Sequence, residues 1–338
     1  MLASLPLLFL FSMTLFLGTM LSLSSNNWLM LWFGLELNLM SFLPLLMISP
    51  SHQETEGAVK YFLPQAIGSG ILLMAGLASY INNLNNTLLI PNLIILALML
   101  KAGMAPMHFW FPVVMASLSW PMCMILSTWQ KLAPMLLIFS IIIPAIEPLI
   151  TLSASLSALI GGLGGLNQTG LRPILAYSSI NHMGWMMASS LYSMTIALIY
   201  LLTYMITAAL TIMILYFTKI FSINQMLSPQ HSTLSTNMVI ALLFMSFAGL
   251  PPLVGFLPKW MAIQLLVTNL AMPMLFILVL GSLLTLYFYL NIVFNTILLS
   301  PIYNTLNNNK AMTSSMTFIV FSITIMPIFM IYAMIMLN

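Results

Sequence analysis

Long apolar runs, separated by short polar or Pro/Gly clusters, dominate the chain. They fall at 3–23, 28–48, 57–81, 88–118, 121–143, 149–166, 174–190, 194–221, 235–268, 272–298 and 314–336. A membrane-crossing helix needs about 20 apolar residues, so each run is a candidate span. The runs are unbroken and lack the period-two alternation of a transmembrane β-barrel. Backbone in lipid must satisfy its own hydrogen bonds. The pattern therefore predicts an all-α integral membrane protein of about eleven transmembrane helices. The first run has no basic residue on either flank and reads as a span, not as a removable leader.

Two of the runs are too long for a single helix and carry proline. One holds KAGMAPMHFWFP at 101–112, the other AGLPPLVGFLPK at 248–259. Ala102, Gly103, Pro106 and Pro112 align with Ala248, Gly249, Pro252 and Pro258, each pair at the same offset (248 − 102 = 146). They belong to the fourth and ninth runs, an odd separation, so the second copy is expected to cross the membrane in the opposite sense. An inverted repeat with one broken helix in each half follows. The expected organisation is a single polytopic domain over 1–338: a half 1–145, a half 146–298 and a final helix 314–336.

Composition sharpens this class. Only 3% of the 338 residues are charged and 62% are hydrophobic, against about 25% charged in soluble domains. A soluble globule, a disordered chain and a nucleic-acid binder are excluded. The one cysteine, Cys123, rules out an internal disulfide, a four-thiolate cluster or a CxxC site. GGLGGLN at 161–167 misses the last glycine of a dinucleotide fingerprint and sits in an apolar run. The 32 methionines lack His or Cys partners at ligand spacing, so they read as packing residues. No metal, redox centre or cofactor is expected in this chain.

The few charges divide into two groups. Lys60, Arg172, Lys219 and Lys310 lie outside the span centres and, with eleven spans, share the side of the N-terminus. The opposite side holds Glu147 and no Lys or Arg. The positive-inside tendency then puts the N-terminus on the inner face and the C-terminus outside. Glu36, Lys101, Lys131 and Lys259 lie near span centres instead. Glu36 lies nine residues past Asn27, Lys101 ten past Pro91 and Lys131 ten past Pro121, hence about 14 Å deep at ~1.5 Å per residue. That is near the midplane of a ~30 Å hydrocarbon core. Each charge there costs at least ~2.5–3.5 kcal/mol, and one acid cannot neutralise three bases. Such groups are either a proton relay or inter-helix ion pairs and snorkelling lysines. The relay is the reading adopted for these four; Lys60 and Lys219 read as interfacial.

Histidines leave more open. His52 and His231 read as solvated loop residues. His108 follows the first helix break, and His182 sits in SSINHMGW at 178–185. Either can carry protons near neutral pH or be a hydrogen-bonded interior residue. Gly161 and Gly165 form a GxxxG pair that would admit a close helix neighbour.

These residues also carry a family likeness. WFGLELNLMSFLPLL at 32–46, TEGAVKYFLPQA at 55–66, LKAGMAPMHFWFP at 100–112, TWQKLAPM at 128–135, IGGLGGLNQTGLRPILAYSSINHMGW at 160–185 and GLPPLVGFLPKW at 249–260 resemble the antiporter-like membrane subunits of mitochondrial complex I, and among them the chain 2 family. The resemblance implies a proton-translocating core subunit of NADH:ubiquinone oxidoreductase in the mitochondrial inner membrane. It implies that Glu36 and Lys101 form the membrane Glu/Lys pair, that Lys131 is the central relay lysine and that Lys259 is the terminal one. Lysine rather than glutamate at 259 is similar to chain 2 and unlike chain 4. NAD, flavin, iron–sulfur clusters and quinone are implied only in other subunits. The implied partners are neighbouring antiporter-like and small helical subunits and membrane lipids. One departure is Pro173 after Arg172, where the family has a second base. A free-standing cation/proton antiporter subunit and a purely structural membrane subunit are the rival readings.

Overall fold

A computed structural model of the chain describes residues 4–47, 51–81, 89–226, 234–251 and 253–298. Among these the fold is helical throughout, apart from one 3-10 turn at Pro144–Ile146 and one isolated antiparallel bridge, Gly170 to Ser222. The helices in chain order are α1 Ser4–Ser24, α2 Trp28–Leu46, α3 His52–Ile81, α4 Leu89–Ala102, α5 Trp110–Ser117, α6 Trp120–Ser127, α7 Trp129–Ser140, α8 Glu147–Leu166, α9 Leu171–Ser190, α10 Met194–Thr218, α11 Ile223–Met226, α12 Leu234–Ala248, α13 Phe256–Thr268 and α14 Met272–Leu298. Each apolar run expected from the sequence up to residue 298 is helical. The run 314–336 lies outside the described residues, as do Lys310, His231 and Pro252.

Among the described residues seven segments are individually long and apolar enough to cross a membrane: Pro6–Ser24, Trp28–Leu46, His52–Tyr80, Trp120–Ser140, Pro144–Leu166, Met194–Thr218 and Met272–Thr296. α9, with its Arg, His, Asn and serines, and the short helices α4, α12 and α13 are not among them. The outer surface is apolar as well as the core. Phe9, Leu17, Met74, Leu152, Leu202 and Phe276 stand more than half exposed, as a lipid-facing surface requires. Buried serines and threonines bond carbonyls three or four residues back on their own helix, as Ser22, Ser41, Ser157, Ser178 and Thr211 do. That local bond satisfies a hydroxyl where water is absent.

The chain divides into two compact units, Met1–Ser153 and Ala154–Asn338, with the division inside α8. In the first unit α2 packs on α1 and α3, and α4 packs on α3 and α7. The inward face of α3 runs through Gly57, Tyr61, Gln65, Gly68 and Leu72 at helical spacing. In the second unit α9 packs on α10, α13 and α14, and α12 on α14 and α10.

Three expectations are amended. The run at 121–143 remains one span, Trp120–Ser140, but its helix carries an irregularity at Thr128 (φ −110°, ψ −73°), where α6 passes to α7. Its hydroxyl and its amide both bond the Met124 carbonyl, at 2.6 and 3.0 Å, so the side chain competes with the ladder. His52 is not in a loop; it is the exposed first residue of α3. Gly161 and Gly165 do not face one neighbour. A methyl on Gly161 would meet Asn181 of α9, and one on Gly165 would meet the Phe288 ring of α14.

Candidate functional site

The two broken helices end in the same hydrogen-bonded cap. Gly103 (φ +76°) and Gly249 (φ +79°) are left-handed, a conformation glycine adopts without steric cost. The Gly103 amide bonds Met99 and Leu100, and the Met104 amide bonds Met99. The Gly249 amide bonds Met245 and Ser246, and the Leu250 amide bonds Met245. Both are Schellman caps, and every position is related by the offset of 146 seen in the sequence. Helix resumes at Trp110 and at Phe256, again 146 apart (256 − 110).

The remaining orphan carbonyls are satisfied differently in the two copies. In the first unit the Trp110 indole donates to the Leu100 carbonyl at 3.1 Å, and Gln65 donates to the Lys101 carbonyl at 3.0 Å. In the second unit the Lys259 ammonium donates to the Ala248 carbonyl at 2.8 Å. Lys259 thus sits at the negative end of α12, and its side chain lies against Gly249, where a methyl would come within 2.8 Å of it.

The first unit holds Glu36, Lys101 and Lys131. Lys101 is 6% exposed and Lys131 5%, which removes snorkelling as an account of either. Glu36, on α2, acts electrostatically on both Lys101 and Tyr61, and its carboxylate Oε2 is buried without a hydrogen bond. The Lys131 ammonium lies 4.5 Å from the Phe111 ring centre. A cation–π contact of this kind is worth about 0.5–2 kcal/mol. The Gln130 amide donates to the Asn38 carbonyl oxygen at 2.9 Å and accepts from the Tyr61 hydroxyl at 3.4 Å. Asn38, Tyr61, Gln65, Lys101 and Gln130 border a cavity of about 10 Å³. His108 stands apart from this cluster: its Nδ1 donates to the Pro106 carbonyl at 3.2 Å and its ring lies 4.2 Å from Phe109.

The second unit holds Lys259, 6% exposed, and His182, 6% exposed. His182 Nδ1 is 3.0 Å from the Tyr200 hydroxyl, within a ring cluster of Tyr200, Tyr204 and Phe247. Asn181 donates to the Thr285 hydroxyl at 3.3 Å.

Sequence reasoning missed Asn38, Tyr61, Gln65 and Gln130. A signal was available. Each is a polar group inside an apolar run, Tyr61 and Gln65 are four apart on one helix face, and Asn38 and Gln130 adjoin Glu36 and Lys131. Polar neutral residues carry no insertion penalty comparable to a charge, so they drew less notice.

The family model described as NADH:quinone oxidoreductase/Mrp antiporter, transmembrane, matches residues 25–286. NADH-ubiquinone oxidoreductase chain 2 of Lumbricus terrestris is 43% identical over 290 residues, 85% of this chain and 86% of that protein. NADH-ubiquinone oxidoreductase chain 2 of Lemur catta is 41% identical over 315 residues, 90% of this chain and 89% of that protein. Among solved structures, a chain of respiratory complex I from Thermus thermophilus with bound aureothin superposes with a TM-score of 0.79 at 24% identity, covering 94% of this chain and 76% of its own. A chain of the Mrp complex from Dietzia sp. DQ12-45-1b gives 0.76 at 20% identity, covering 84% and 59%. These two likenesses are of fold.

Proposed function

The chain belongs to the NADH:quinone oxidoreductase/Mrp antiporter transmembrane family, and we propose that within it the chain is a proton-translocating core membrane subunit of respiratory complex I in the mitochondrial inner membrane. One observation carries this reading: the 43% identity along most of both chains with a protein named NADH-ubiquinone oxidoreductase chain 2. The burial of Lys101, Lys131 and Lys259, with Glu36 within electrostatic reach of Lys101, supplies the chemistry. A buried ammonium at membrane depth is tolerated where it is partnered or functional.

In this reading electron transfer belongs to other subunits, which hold NAD, flavin, iron–sulfur clusters and quinone, and this chain has no redox centre. Glu36 and Lys101 form a switchable pair. A change in that pair alters the proton affinity of Lys131, and the proton moves on toward Lys259 and the outer face. His108 and His182 are further proton-bearing candidates; His182 has a hydroxyl partner in Tyr200, whereas His108 Nδ1 bonds the Pro106 carbonyl. The N-terminus lies on the matrix side and the C-terminus on the intermembrane-space side. Partners are the neighbouring antiporter-like and small helical subunits and membrane lipids.

Lys131→Met tests the relay. Coupled turnover and the proton-to-electron ratio of the assembled complex should fall while assembly persists. An unchanged ratio would overturn the role. Purification separates this reading from an independent antiporter, since the chain should come out within a respiratory assembly.

A further inference from the structure

The cavity beside Lys101 has a mixed polar and apolar lining and is of about one water's size. Its volume of about 10 Å³ is near the threshold of roughly 10–15 Å³ for holding a single water molecule. Apolar cavities stay dry, whereas a water with two to four polar partners is retained. This one is bordered by an ammonium side chain, two amides beyond the Gln65 amide, and a phenol. Leu35, Leu39 and Pro134 supply the apolar part of its lining.

Three of those polar groups are already tied to one another. Gln130 on α7 donates to Asn38 on α2 and accepts from Tyr61 on α3. The clasp therefore fixes three helices around the cavity at the level of Lys101. The geometry of each group leaves capacity to spare. Gln130 keeps one N–H and part of its carbonyl oxygen, Asn38 keeps its own NH2, and Tyr61 keeps an oxygen lone pair. Tyr61 is 2% exposed and Asn38 3%, so nothing but buried groups or internal water can use that capacity. Amides and a phenol do not exchange protons readily near neutral pH. They can orient a water, but the water must carry the proton.

We propose that Tyr61, Gln130 and Asn38 are positioning residues that hold one water against Lys101, and that this water is the proton's step from Lys101 toward the α7 segment bearing Lys131. In that step an N–H bond of the Lys101 ammonium breaks as an O–H bond forms on the water, one of the water's own O–H bonds breaks, and that proton bonds to the Lys131 side chain in its neutral amine form. The water is regenerated and no electron moves. Gln130 immediately precedes Lys131, so the same clasp sets the register of α7 where the central lysine begins. Glu36 also acts on Tyr61, which ties the clasp to the acid of the pair. The inference rests on the proposed proton-translocating role.

The test uses the assembled complex in sealed vesicles, driven by NADH and a short-chain quinone. Tyr61→Phe removes only the hydroxyl; the ring keeps its edge contacts with Phe42 and Trp110. Gln130→Met keeps length and loses both hydrogen bonds. Both should assemble, lower coupled turnover by about tenfold, the loss expected from one positioned hydrogen bond, and shift the pH profile of pumping. A map of the wild-type complex with ordered solvent should show density between Lys101 and Gln130 that disappears in Gln130→Met. If Lys131→Met stops pumping while Tyr61→Phe and Gln130→Met pump with the wild-type pH profile, the clasp inference fails and the functional reading stands. If Lys131→Met pumps fully, the functional reading fails and takes the inference with it. Should Gln130→Met not assemble, Tyr61→Phe decides alone.

Discussion

Lys259 combines two tasks that can be separated chemically. Its ammonium closes the Ala248 carbonyl at the end of α12, and in the proposed relay it also releases a proton. Lys259→Arg keeps cationic donors for that carbonyl but never loses its charge. It should preserve the thermal stability of the complex and abolish coupled pumping. Lys259→Met should lose both, because leaving a buried carbonyl unpaired costs about 1–3 kcal/mol. Thermal inactivation and proton-to-electron ratio, measured on both variants, give the comparison; Lys259→Arg with full pumping would remove Lys259 from the path. The sequence marked Lys259 as anomalous by its depth alone. Its carbonyl partner was not legible, because a lysine reaching back across a helix break leaves no periodic trace. Tyr61 and Gln130 were hidden for a related reason: neutral polar groups become conspicuous only when folding sets them beside each other.

At the scale of the helix, the offset of 146 was written in four residues and reappears as a shared hydrogen-bond pattern. Glycine is required at both caps for backbone reasons, but the two sites punish substitution differently. Gly249→Ala forces an L residue to φ +79°, costing about 1–2 kcal/mol. Its methyl would also press on the Lys259 side chain at 2.8–3.1 Å. Assembly yield should fall and pumping should fail with it. Gly103→Ala carries the same backbone strain, but its methyl meets Phe111 and Trp110, so it displaces the ring under Lys131 instead. Gly70→Ala is the control. Nothing lies within 4 Å of its added methyl and the position is inside α3, so it should be neutral or stabilising by about 0.5–1 kcal/mol. Equal damage from all three would show that helix caps are not what the glycines supply. The irregularity at Thr128 escaped sequence reading because no Pro or Gly marks it; a hydroxyl taking a carbonyl from the ladder is a common event in apolar helices that seldom ends one.

For the molecule as a whole, the proposed crossing pattern turns on where the bases lie. Lys60 is exposed near the start of α3 and paired with Glu56 one turn earlier at 2.5 Å. Lys219 is exposed at the left-handed C-cap of α10. In the expected arrangement an even number of spans separates Lys60 from Lys219, and an odd number separates either from the exposed Glu147 at the start of α8. The chain offers a clean background for mapping this, since its one cysteine, Cys123, is buried. Single cysteines at positions 60, 219 and 147 should therefore sort by face. Membrane-impermeant thiol reagent added to the matrix side of inner-membrane vesicles should label positions 60 and 219 and spare 147. Reagent on the other side should do the reverse. Labelling of 60 and 219 from opposite faces would mean a crossing is miscounted between them. The odd separation of the two broken helices would then no longer hold. The inverted relation of the halves would fall with it, although the shared caps at Gly103 and Gly249 would remain. Labelling of 60 and 219 together from the intermembrane-space side, with 147 labelled from the matrix side, would keep the repeat and reverse the orientation drawn from the positive charges.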